Sequence, residues 1–148
     1  MIYQTDSEFE PDIQHFGCYF LSLLYQLNRL LGTPEFDHKI IEVIYNTCQH
    51  TDANNNGVTD MNPECFIADP QGVVDYIVPG KVKFLYKQTA DYVCQSEEFE
   101  VQTWYNPATQ FTHFVAGLAG AVIYDPIQGG SRTVREGHID SKRIFKML

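Results

Sequence analysis

The sequence predicts an α+β fold in which helices lead and an antiparallel sheet follows. Three observations carry this. Residues 17–31 set Phe20, Leu23, Leu24, Leu27, Leu30 and Leu31 at helical spacing, with Arg29 the only charge in the stretch. After Gly80 the apolar period shortens to two. Thr112–Leu118 and Ala121–Tyr124 are apolar runs parted only by Ala119 and Gly120, the pattern of a hairpin.

Taken in order, residues 17–31 form a largely buried helix that Gly32 ends. Thr33-Pro34 offers a capping hydroxyl and a proline at the first helical position, so a second helix is expected from there to about Thr47 through Ile40, Ile41 and Ile44. Thr51–Asp60 is rich in Asn, Asp and Gly, which compete with helix and tolerate left-handed backbone, and reads as a loop. Asp69-Pro70 repeats the capped start, with a short helix through Val73, Val74 and Ile77 to Pro79-Gly80. Lys81–Lys87 alternates. Glu98–Tyr105 alternates with Phe99, Val101 and Thr103 on one face. Beyond the hairpin, Arg132–Arg135 and Arg143–Met147 are expected as short strands.

The chain has 148 residues, enough to hide roughly 68–70% of its unfolded surface in a core. One domain over 1–148 is expected, since no repeat, linker or low-complexity tract divides it. Hydrophobic residues make up 44% and aromatics 14%, which excludes a disordered or collagen-like chain. Ten basic residues face nineteen acidic ones, a net charge of −9, and that balance argues against nucleic acid as a partner because phosphate contacts need clustered Lys and Arg. The acids concentrate in residues 1–80, where only Arg29 and Lys39 oppose twelve of them.

The opening residues lack the basic start and apolar core of a signal peptide, and no apolar run is long enough to span a bilayer. The expectation is a soluble cytoplasmic protein with no membrane partner. Cys18, Cys48, Cys65 and Cys94 are widely spaced without any C-x-x-C, so they are read as free thiols.

Chemistry concentrates on three residues. Cys18, directly after Gly17, opens the buried helix, and a helix N-terminus favours the negative charge a thiol needs to become a nucleophile. Gly17 would let another segment approach the backbone closely. His113 interrupts an apolar strand-like run, where a sheet would hold a general base rigidly. Asp125, in Tyr124-Asp125-Pro126, stands at the end of the paired strand, where a carboxylate could orient the imidazole; it could equally begin a turn before proline. His15 is a further imidazole near the helix start, by default a surface residue.

With Gly17-Cys18 opening a buried helix, then His113-Phe114-Val115, then Tyr124-Asp125-Pro126-Ile127-Gln128-Gly129, the sequence resembles the papain-like cysteine peptidase superfamily. The likeness is to its C39-like branch, small proteins of bacteria and their phages. It extends loosely over residues 12–135, and residues 33–110 carry no matching motif. The resemblance implies a papain-like fold, a Cys18–His113–Asp125 triad, and hydrolysis of a peptide or isopeptide bond in a peptide or protein substrate. Family members carry an oxyanion-hole glutamine several residues before the nucleophile; here Gln14 stands only four before Cys18. Tyr19 follows the cysteine where many members are smaller, which would narrow the cleft. Two alternatives stand beside the peptidase: an inactive papain-like module that binds a host protein, and a peptidoglycan amidase or endopeptidase of NlpC/P60 or CHAP type, similar in its Cys-His order.

Asp52, Asn54, Asn56, Gly57 and Asp60 fit positions 1, 3, 5, 6 and 9 of an EF-type calcium loop, but Pro63 occupies position 12, where a bidentate Glu is needed. Weak or absent calcium binding is expected. Cys48, His50, Cys65 and Cys94 match no common zinc spacing, and Gly129-Gly130 precedes no helix pattern that would make it a phosphate cradle. No metal and no cofactor is expected.

Overall fold

Residues 1–148 are described by a computed structural model. Pro11 starts helix α1 (Pro11–Phe16), which ends at Gly17, and α2 (Cys18–Leu31) begins at the next residue. Gly17 is required by α1 itself: a Cβ there would stand 2.6 Å from the Ile13 carbonyl oxygen. The close approach that the sequence suggested is thus made by the preceding helical turn. Along α2 the residues Phe20, Leu23, Leu24 and Leu27 are buried, and Gly32, at φ 62°, closes the helix in the left-handed region.

The next helix, α3, spans His38–Cys48 and does not begin at Thr33-Pro34. The Asn28 amide grips the Thr33 hydroxyl and the carbonyls of Thr33 and Pro34, so the expected cap is already engaged. Asp37 caps instead, accepting from the Ile40 N–H at 2.8 Å. A two-stranded ribbon, β1 (Met61–Asn62) and β2 (Phe66–Ile67), follows the Thr51–Asp60 loop, and α4 covers Pro70–Ile77.

A five-stranded sheet holds β3 (Val82–Thr89), β4 (Glu98–Asn106), β5 (Phe111–Leu118), β6 (Ala121–Tyr124) and β7 (His138–Met147) in the order β3-β7-β4-β5-β6, every pair antiparallel. The fold is mixed α+β, with helices first and the antiparallel sheet after them. No helix is long and apolar enough to cross a membrane.

Two expected strands differ from what forms. Arg132–Glu136 is a short helix, α5, because the Ser131 hydroxyl caps it by accepting from the Val134 N–H, and Arg132 pairs with Glu136 one turn on. β7 is ten residues long, twice the expected stretch, and lies between β3 and β4. Its charges disguise it. Lys142 is 4% exposed, its ammonium donating to the Tyr92 carbonyl at 2.8 Å and lying 3.6 Å from Glu100. The core, 22 buried residues, joins α1–α4 to the sheet through Phe99, Val101, Ala116 and Phe145.

Candidate active site

The first turn of α2 docks beside β5 through residues adjacent to the expected chemistry. Tyr19 stacks on Phe114 with ring centroids 4.6 Å apart and planes within 5°, and the Ser22 hydroxyl donates to the Phe114 carbonyl at 3.3 Å. Tyr19 follows Cys18 and Phe114 follows His113, so a single aromatic pair sets the thiol and the imidazole against each other. Tyr19, expected from the sequence to narrow the cleft, is therefore a clamp. Its hydroxyl is buried without a partner, and an orphaned polar group of that kind costs stability. Tyr19→Phe should keep the stack and leave stability unchanged or raised by up to about 1 kcal/mol, read as the midpoint of urea unfolding.

His113 and Asp125 are joined by a 2.7 Å bond between Nε2 and Oδ1, with side chains 9% and 10% exposed. A carboxylate can only accept, so Nε2 donates to Asp125 and Nδ1 is the nitrogen left to hold the proton of the Cys18 thiol. Burial works against the charged imidazole, but the Asp125 hydrogen bond, with help from the Cys18 thiol, outweighs it and raises His113 to about 9. Burial likewise opposes the Asp125 carboxylate, and bonds from His113 and from the N–H groups of Ile127 and Ser131 hold it below the ordinary value.

Those two backbone bonds, each 2.9 Å, show that Asp125 fills both roles read from the sequence. One oxygen orients the imidazole and shares the Ile127 N–H; the other ties down Ser131. The loop can fold back so tightly because Gly129 and Gly130 take φ of 82° and 87°, a region that suits glycine.

Among the four free thiols, three are disarmed. Burial, then the nearby Asp60 charge, pushes Cys48 up to about 12; burial, then Glu100, does the same for Cys94; and burial raises Cys65 as well. Cys18 is half-buried and lines an open cleft of about 510 Å³ with Tyr19, Phe66, Phe84, Phe114 and Arg143. The Cys18 N–H lies in the first turn of α2, where backbone N–H groups lack partners within their own helix and can meet an oxyanion. A second cavity of the same volume lies across α2, between Ile2, Tyr25, Phe36 and Tyr124, and holds no nucleophile.

Gln14 is not placed with the triad. Its side-chain amide donates to the Asp6 backbone carbonyl at 3.0 Å, and the Gln14 backbone carbonyl accepts from the Gln4 amide at 3.1 Å. Four positions before Cys18, Gln14 lies on α1 while Cys18 opens the next helix, and the amide serves the N-terminal segment instead of an oxyanion hole. His15 does reach the cleft wall.

Arg143 was not singled out by sequence. Its guanidinium lies 5.2 Å from the Phe114 ring centre and donates to the hydroxyls of Thr103 and Ser141 at 2.8 and 2.7 Å, with no carboxylate in ion-pair reach. Only the pairing of β7 with β4 brings it to the cleft, and that pairing has no local sequence signal.

No curated protein and no solved structure matches the chain. A family model does match, over residues 1–147, and the chain accordingly belongs to the family described as "Protein of unknown function, DUF261".

Proposed function

We propose that the protein is a cysteine hydrolase of papain-like, C39-like type that cleaves a peptide or isopeptide bond. The observation that supports this reading is the convergence of three residues from separate elements. Cys18 starts a helix, His113 lies on β5 and Asp125 follows β6, with the last two joined by a buried 2.7 Å bond and the thiol acting on the same imidazole. Sulfur, its proton already held on Nδ1 of the imidazolium, attacks the substrate carbonyl as thiolate, and the Cys18 N–H faces the resulting oxyanion. The C–N bond then breaks as His113 returns that proton to the leaving amine. Water, deprotonated by the same ring, cleaves the thioester to a carboxylic acid and restores the thiol.

Arg143, a cation in the cleft without an anionic partner, favours substrates carrying a carboxylate near the scissile bond.

A catalytically inactive module binding a protein through the cleft is favoured by one observation, the engagement of the Gln14 amide with Asp6. Incubation with a proteome-derived peptide mixture separates the two. New peptide termini and an acid-trapped acyl adduct on Cys18, both absent in Cys18→Ala, are expected by mass spectrometry. Cleavage that survives in Cys18→Ala would sink the hydrolase reading, and intact peptides with the native protein would favour the binding module.

A further inference from the structure

We propose that Asp52, Asn54, Asp60 and Asp69 form a calcium site, independent of the thiol chemistry. The expectation of weak binding rested on Pro63 at the twelfth position of the loop, but the fold supplies a carboxylate from elsewhere. Asp69, which precedes α4, comes close enough that one oxygen each from Asp52, Asp60 and Asp69 lie within 4.8 Å of one another. Asp60 is 0% and Asp69 8% exposed. None of the three has a cationic partner.

A second observation points to a ligand. The side-chain oxygen of Asn54, the third position of the loop, is sealed from solvent and accepts no hydrogen bond. Its neighbours are bonded to the cluster on both sides. The Ala53 N–H donates to both oxygens of Asp60, and the Asn56 amide donates to Asp69 at 2.8 Å. Buried polar oxygens are ordinarily satisfied. A hard cation that takes six to eight oxygen ligands satisfies this one and neutralises the carboxylates at once. Gly72 lets the two buried carboxylates sit this close to α4, since any Cβ there would collide with Asp60 and press on Asp69.

Asp69 leaves its own helix uncapped by its side chain, so its carboxylate is held for the loop. The Asp60 carbonyl also accepts from the N–H groups of Ala68 and Asp69, and the Asp60 N–H donates to Thr51. Asp60 thus stands at the foot of the ribbon whose residues Cys65, Phe66 and Ile67 line the cleft. Calcium binding would brace that wall.

The test uses the full chain, stripped with EDTA, and titrates CaCl2 or MgCl2 while thermal unfolding and heat of binding are followed at neutral pH. Calcium at about 1 mM should raise Tm by several degrees, and magnesium, which demands a tighter octahedron, should do much less. Asp69→Asn and Asn54→Ala should each weaken calcium binding by at least about tenfold. Asn54→Ala should leave the metal-free Tm unchanged or higher, because it removes only an orphaned oxygen; if Asp69→Asn does not fold, this variant decides alone. No response to calcium, an equal response to magnesium as expected from screening of an acidic chain, or an unaltered response in Asn54→Ala would overturn the site.

Discussion

Iodoacetamide at pH 6 should alkylate Cys18 selectively, and His113→Ala should slow that reaction by roughly 100-fold, because an ordinary thiol is almost wholly protonated there. Asp125→Asn should slow it less. The amide still offers an oxygen to the imidazole N–H but removes the charge that favours imidazolium. Cys48, Cys65 and Cys94 serve as internal controls, since burial holds all three protonated. Peptide mapping after a short pulse assigns the label. Equal labelling in wild type and His113→Ala would mean that the imidazole does not act on the thiol, and the triad would lose its chemical basis.

The largest effect on stability should come from Asp125→Ala, about 3–5 kcal/mol near pH 6. It strips a buried histidine of its counter-charge and leaves the Ile127 and Ser131 N–H groups unsatisfied. The loss should also depend on pH. His113 is raised from 6.5 to about 9, so the native state holds a proton that the unfolded chain releases between those values. The stabilisation is complete below about pH 6.5 and disappears as pH rises through 9. Asp125, held low, contributes above its ordinary value of 3.8 and loses its contribution as pH falls through the depressed one. Urea unfolding at pH 6 and pH 9.5 should show wild type approaching the variant at the higher pH. A gap of constant size would mean that Asp125 matters only as a turn residue.

Much of this architecture was legible in the sequence where one physical signal dominated. The apolar stripe of α2 had a single charge, Arg29, to contest it, and Ala119-Gly120 left the β5–β6 runs no option but a hairpin. Cys18, His113 and Asp125 stood out as candidates because each is a polar residue at the rim of an apolar element. Signals failed where two were in competition. Thr33 looked like a cap, but Asn28 had taken its hydroxyl. Arg132–Arg135 is too short for period two to be told from a helical turn, and the Ser131 cap decides. β7 hid behind charges that are satisfied only by distant partners, as Lys142 is by Tyr92 and Glu100. Gln14 illustrates the limit of spacing arguments: the distance along the chain was known, but the break between α1 and α2 that turns its amide toward Asp6 was not.

The position of β7 also bears on how the protein is made. Residues 138–147 are synthesised after every other strand, yet they fill the slot between β3 and β4. Until they emerge from the ribosome, β3 has no strand partner in the five-stranded sheet and β4 has an open edge, both inviting pairing with other chains. The helical half can collapse early on local contacts, whereas completion of the sheet waits on a long-range insertion and should be the slow step. A pause in translation just before residue 138 would therefore prolong the one interval in which nascent chains are most exposed to aggregation.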